Sequence, residues 1–126
     1  MPYEYGQIVL VPVTDGHGNI KPHPAVILSP SEQILPEAEL RVVCVSTQVE
    51  DPCPPHHIPL PWQRPRHPRT GLNKPNVAKC NWLVRINQRD VIKVLGFVPP
   101  QQLERIGQEL RNLQSDAMAR GEGSPK

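Results

Sequence analysis

Seventeen of the 126 residues are proline, and no other feature constrains the chain as strongly. Proline lacks a backbone N–H and holds φ fixed, so it breaks helix interiors and is unwelcome in the middle of a sheet. A helical bundle is disfavoured; short strands joined by stiff loops are expected. The prolines are densest in "VEDPCPPHHIPLPWQRPRHPRT", residues 49–70. That stretch suits neither a helix nor a central strand. Within it, "HHIPL" fits a short edge strand, where a proline is tolerated.

Around this stretch lie apolar runs of strand length. "GQIVLVPV" (6–13) is continuously apolar and β-branched, as a strand buried on both faces would be. "TDGHGN" supplies turn chemistry, since Asp15-Gly16 and Gly18-Asn19 both favour positive φ. "AVILS" (25–29) reads as the second strand and "LRVVCVSTQ" (40–48) as the third, with the polar connector "PSEQILPEAE" between them. In "NVAKCNWLVRI" the set Ala78, Cys80, Trp82, Val84 and Ile86 alternates with Val77, Lys79, Asn81, Leu83 and Arg85, which places the first set towards a core. "VIKVLGFV" is a further strand. Pro99 and Pro100 then open a helix whose Leu103, Ile106, Leu110, Leu113 and Ala117 fall on one face. The expectation is one mainly β domain over residues 1–118, a small barrel with a C-terminal α-helix, and a disordered polar tail at 119–126.

Charge is unevenly distributed behind a net charge of +2. From Pro30 to Cys53 a single cation, Arg41, faces five carboxylates, a balance of −4. From Trp62 to Lys93 eight cations face Asp90 alone, a balance of +7. A surface of that sign attracts polyanions. Aromatic residues make up only 4%, which argues against a platform of several rings for stacking bases. The three cysteines do not make a disulfide framework; Cys44 and Cys80 sit in apolar runs and read as small buried residues. No apolar run approaches the ~20 residues of a membrane span. The expected location is the cytoplasm.

Four clusters can carry chemistry. His23, between two prolines in "KPHPAVILS", is a proton donor or acceptor for neutral pH; a free imidazole titrates near ~6.5. Alone, it reads more simply as a loop residue at the entrance to a strand. "VSTQ" ends the third strand with Ser46, Thr47 and Gln48, a set that can grip a phosphate or satisfy its own backbone. "RPRHPR" holds Arg64, Arg66 and Arg69 on a proline-stiffened loop; with Lys74 they form a candidate phosphate clamp. Cys53, His56, His57 and His67 are metal-capable, but one cysteine among prolines does not make a zinc knuckle. No metal or other cofactor is expected.

Taken in order, "YGQIVLVPV", "KPHPAVILS", "VVCVSTQ", "TGLNKPNVAKCNWLVRI" and "VLGFVPPQQLERI" resemble the MazF/PemK (Kid) family, the toxin half of bacterial type II toxin–antitoxin pairs. The resemblance spans nearly the whole chain. It implies an SH3-like barrel with a C-terminal helix, a homodimer, an antitoxin partner and metal-independent endoribonuclease activity on single-stranded RNA. The family's catalytic pair falls, by position, on His23 and Ser46, with His23 standing where the family has arginine. With RNA as the substrate, Thr47, Gln48, Arg64, Arg66, Arg69 and Lys74, singled out above by their chemistry, are the expected RNA contacts. The alternative is a non-catalytic binding module on the same barrel, either an inactive relic or a CcdB-like gyrase-binding toxin.

Overall fold

The structure, a computed structural model, describes residues 3–119. Six strands and one long helix follow in chain order: β1 (Gln7–Thr14), β2 (Ile20–Ile27), β3 (Glu39–Ser46), β4 (His57–Pro59), β5 (Val77–Asn87), β6 (Lys93–Phe97) and α1 (Pro100–Ala119). They form one antiparallel sheet in the order β4-β5-β3-β2-β1-β6, with β4 at an edge as its proline suggests. The fold is mostly β with a C-terminal helix, as expected. The polar tail falls outside the described residues apart from Ala119.

Both faces of the sheet are covered, which explains the unbroken apolar runs of β1 and β3. Ile8, Val26, Val43 and Val45 point to one side, where Ile106 of α1 completes a core with Leu103, Leu110 and Leu113 packed beside it. Val9, Val11, Ala25, Ile27, Val42 and Cys44 point to the other, towards Ile86 and Val84. β5 serves both: Ala78 and Cys80 belong to the helix-side core, Trp82, Val84 and Ile86 to the opposite one. The change of side follows a three-residue slip in register, because Val43 pairs with Leu83 while Val45 pairs with Ala78.

One expectation is corrected. His23 does not stand at the mouth of the second strand. β2 begins at Ile20, and His23 lies inside it opposite Val11. The prolines did not exclude this, because β3 reaches only Ala25, Val26 and Ile27 of β2. Pro22 and Pro24 pair with Pro12 and Leu10 on the β1 side. Their missing N–H groups point to the β3 side, where the ladder between β2 and β3 has already ended at Ala25 and Cys44. The proline–histidine–proline run is therefore half an edge strand within a central one. The turn before it also differs, since Gly18 has φ of +83 and Gly16 is not among the positive-φ residues. Asp15 ties that turn by accepting the N–H groups of His17 and Asn19. Those two bonds hold its carboxyl below the ordinary value of 3.8.

The proline-rich segment after β4 folds back over the free side of β6. Phe97 N–H donates to the Arg69 carbonyl at 2.8 Å. A Cβ on Gly71 would collide with the Leu95 carbonyl, and one on Gly96 with the Arg69 carbonyl. Two glycines thus let backbone meet backbone, and Gly71 adds a φ of +75 that suits glycine. Thr70 Oγ1 donates to the Pro61 carbonyl, and His67 Nδ1 accepts the N–H groups of Arg69 and Thr70, so the arginine loop is pinned from inside.

Candidate nucleic-acid interface

His23 projects to the face that carries Val11 and Ala25 and meets Trp82 of β5. The register slip in β5 is what frees Trp82 to reach it. Two cavities open on either side of this histidine. The first, about 430 Å³, lies between β2 and the 61–76 segment and is lined by Pro22, Pro24, Leu72, Leu95, Arg66 and Lys74 among others. The second, about 650 Å³, lies against the β1–β2 turn and the end of β3, with Asp15, Lys21, Ser46, Gln48, Lys79 and Trp82 on its walls. His23 and Thr47 line both. A third recess, lined by Arg64, Pro65, Asn73 and Lys74, adjoins the first through Pro65, Asn73 and Lys74.

The structure gathers His23, Ser46, Thr47, Gln48, Arg64, Arg66 and Lys74 around these adjoining hollows. It leaves Arg69 out: that side chain lines none of the three, and its backbone serves the loop's attachment to β6. Lys21, Lys79, Lys93, Asn76 and Trp82 belong to the walls and were not singled out from the sequence. Their signal was weak, because each sits in a strand-like or loop run whose neighbours looked structural. The basic excess between Trp62 and Lys93 did point to Lys79 and Lys93 as members of a charged surface.

The electrostatics are one-sided. Six cations (Lys21, Arg64, Arg66, Lys74, Lys79 and Lys93) line the three hollows, against the single carboxylate of Asp15. Arg66 is braced by donating from Nη2 to the Leu95 carbonyl at 3.3 Å. Ser46 Oγ accepts the N–H of Gln48 at 3.0 Å, which fixes the oxygen at the strand end and leaves its own proton free to donate. Of the His23 ring nitrogens, Nε2 is buried without a hydrogen-bond partner. Cys44 and Cys80 are held as thiols by burial, their pKa values pushed up to about 12 and about 11. Neither is a nucleophile at neutral pH. Among the described residues, no three His, Cys, Asp or Glu side chains gather as a metal site.

An antiparallel sheet backed by one C-terminal helix, with cation-lined hollows adjoining at His23 and Thr47, defines a small β-fold protein with an anion-attracting face. The chain belongs to the PemK-like, MazF-like toxins of type II toxin–antitoxin systems, whose family model matches residues 4–113. Solved structures share its fold. MazF from Deinococcus radiodurans superposes with a TM-score of 0.72 at 19% identity, covering 91% of this chain and 98% of that one. The Mycobacterium tuberculosis toxin MazF-mt6 gives 0.69 at 18%, covering 86% and 96%. An endoribonuclease in complex with its cognate antitoxin, from a mycobacterial species, gives 0.64 at 20%, covering 98% and 99%. A comparison with curated proteins found no match.

Proposed function

We propose that the protein is a cytoplasmic toxin whose action is metal-independent cleavage of single-stranded RNA, and that it works as a homodimer of SH3-like barrels held in check by an antitoxin. The observation that carries the reading is the position of His23. It lines two adjoining cavities whose walls hold five cations and one carboxylate. Polyanion attraction supplies affinity without sequence, and a side chain shared by two hollows gives one phosphate a place between two nucleosides.

In this reading the scissile phosphate rests beside His23. Attack by the neighbouring 2′-oxygen forms a new P–O bond and breaks the bond to the 5′-oxygen. One proton leaves the 2′-hydroxyl and one reaches the departing 5′-oxygen. His23 supplies one of these two transfers. The Ser46 hydroxyl, whose oxygen is already fixed by Gln48, donates to a phosphate oxygen, with Thr47 beside it. Arg66, Lys74 and Lys79 offset the charge that builds on the phosphorane. An arginine in place of His23 would stabilise that charge but would not exchange a proton near neutrality.

A second reading, a non-catalytic module that binds RNA or another partner, is favoured by one observation: His23 Nε2 is buried and without a hydrogen-bond partner. Labelled RNA incubated with purified protein and with His23→Ala separates the two. Cleavage by the parent and its loss in the variant at retained affinity supports the enzyme; binding without cleavage by either supports the module.

A further inference from the structure

We infer that β4, with the 49–56 segment that leads into it, is an acid-released flap: protonation of His57 detaches this edge strand from β5 while the rest of the sheet stays closed. The device belongs to the fold of this chain and does not rest on the RNA-cleavage reading.

Among the described residues, His57 Nδ1 is buried with no hydrogen-bond partner, and the whole residue is only 4% exposed. A protonated imidazole carries an N–H on both ring nitrogens. In the closed strand the Nδ1 donor faces no acceptor, and the charge sits out of water; both are costly. Lifting the strand lets water remove both costs. The neighbours do not offset them. On its own segment, His56 stands edge-on, with ring centroids 4.6 Å apart and planes inclined by 78°. Across the ladder, its partner on β5 is Lys79. Charge on either neighbour opposes charge on His57; Glu50 favours it, with the smallest effect of the three. The Cys53 thiol donates to the His57 carbonyl at 3.5 Å, which leaves the ring untouched. The helix α1 also packs on β4, and its charged groups beside Cys80 are Arg105 and Glu109, one of each sign.

β4 is the element that can give. It is three residues long, lies at the sheet edge and pairs with β5 alone. Pro59 offers that ladder no N–H. Two further backbone bonds hold the approach to it: Cys80 N–H donates to the His56 carbonyl at 2.9 Å, and His57 N–H to the Pro54 carbonyl at 3.0 Å. Ile58 and Leu60 anchor the strand in the helix-side core. Detaching so short a piece costs less than unfolding the sheet, so a buried proton site draws on this local opening first. The release is felt beyond the strand. The Leu60 carbonyl accepts from Asn76 Nδ2 at 3.2 Å, which ties the end of β4 to the far end of the 61–76 segment. That segment walls the first cavity through Arg66, Leu72 and Lys74, so a detached β4 loosens the wall in acid.

The test is amide hydrogen exchange on the full chain between pH 7.5 and 5, corrected for the intrinsic pH dependence of exchange. The Cys80 N–H, bonded to the His56 carbonyl, reports on the flap. The Leu28 N–H, bonded to the Arg41 carbonyl at 2.7 Å, reports on the body of the sheet. The expected result is that protection at Cys80 falls by up to about tenfold per pH unit below about 6.5, as uptake of one proton on opening requires, while protection at Leu28 does not follow. His57→Leu should abolish the fall and His56→Gln should keep it. If the leucine variant does not fold, the parent comparison and His56→Gln decide. Equal falls at Cys80 and Leu28 would mean that the whole domain opens, and would overturn the inference. So would a Cys80 profile flat with pH, a fall that persists in His57→Leu, or one that vanishes in His56→Gln.

Discussion

The imidazole of His23 and the indole of Trp82 meet in a T-shaped arrangement, ring centroids 5.2 Å apart and planes inclined by 72°. One ring comes from the proline-bounded part of β2, the other from the slipped register of β5. The contact holds the histidine where the two cavities adjoin. If His23 exchanges a proton, His23→Ala should lower the cleavage rate by about 10²–10⁴-fold while RNA affinity and fold survive. His23→Arg should be poor, because guanidinium keeps its proton. An arginine variant at least as active as the parent would show that the position needs only a cation.

Trp82 should act through His23. An aromatic pair of this kind contributes about 0.5–1.5 kcal/mol, so Trp82→Ala should cost up to roughly tenfold in kcat with little change in KM. Trp82→Phe, which keeps a ring in place, should recover most of it. Steady-state kinetics on one short RNA checks the split. Equal losses in both variants would point to a packing role for Trp82 instead.

The arginine loop separates into two parts. Arg64 and Arg66 line the hollows, whereas Arg69 does not. Replacing Arg64 and Arg66 by alanine should weaken binding of all RNA sequences alike and reduce the salt slope by roughly 0.7 for each phosphate contact removed. Arg69→Ala should change the slope less. Binding isotherms at several salt concentrations measure this, and an unchanged slope in the double variant would move the backbone contacts elsewhere.

Much of this fold could be read from the chain because apolar runs of strand length are separated by turn residues. The amphipathic spacing of Leu103, Ile106 and Leu110 marked the helix in the same way. What escaped was geometry that depends on partners. The two prolines beside His23 suggested a loop, yet they lie in a strand because the β2–β3 pairing ends at Ala25 and asks no N–H of them. The β5 alternation marked Trp82 as core-facing. It does pack against the core, but the register slip opposite Cys44 also brings it to His23, and no local pattern announces a slip. Gly71 and Gly96 carry no local signal; the need for glycine is set by Leu95 for the first and by Arg69 for the second, each more than twenty residues away along the chain.

Those glycines carry a stability prediction. Gly96→Ala sets a methyl against the Arg69 carbonyl and the Thr70 backbone, neither of which is a yielding side-chain tip. The cost should be on the order of 1–3 kcal/mol. It should appear as a lower urea midpoint together with faster proteolysis within residues 61–72. A variant as stable as the parent would mean that the loop is not clamped to β6 as described.

Stability should also depend on His57. The residue is 4% exposed. Burial, followed by the nearby His56 and Lys79 charges, lowers its pKa from the ordinary 6.5. As pH falls through 6.5, the unfolded chain takes the proton first. The contribution is therefore present above that pH and is lost below it, down to the folded value. Urea midpoints at pH 7.5 and 5 should differ more for the parent than for His57→Leu. An identical difference in both would remove His57 from the acid response.

The central claim is tested most directly by incubating the purified protein, free of antitoxin, with end-labelled single-stranded RNA in EDTA and analysing both product ends. The account predicts discrete cuts that persist under chelation, with a 2′,3′-cyclic phosphate on one fragment and a 5′-hydroxyl on the other, and their disappearance in His23→Ala. Intact RNA after prolonged incubation, or cleavage abolished by EDTA and restored by a divalent metal, would contradict it.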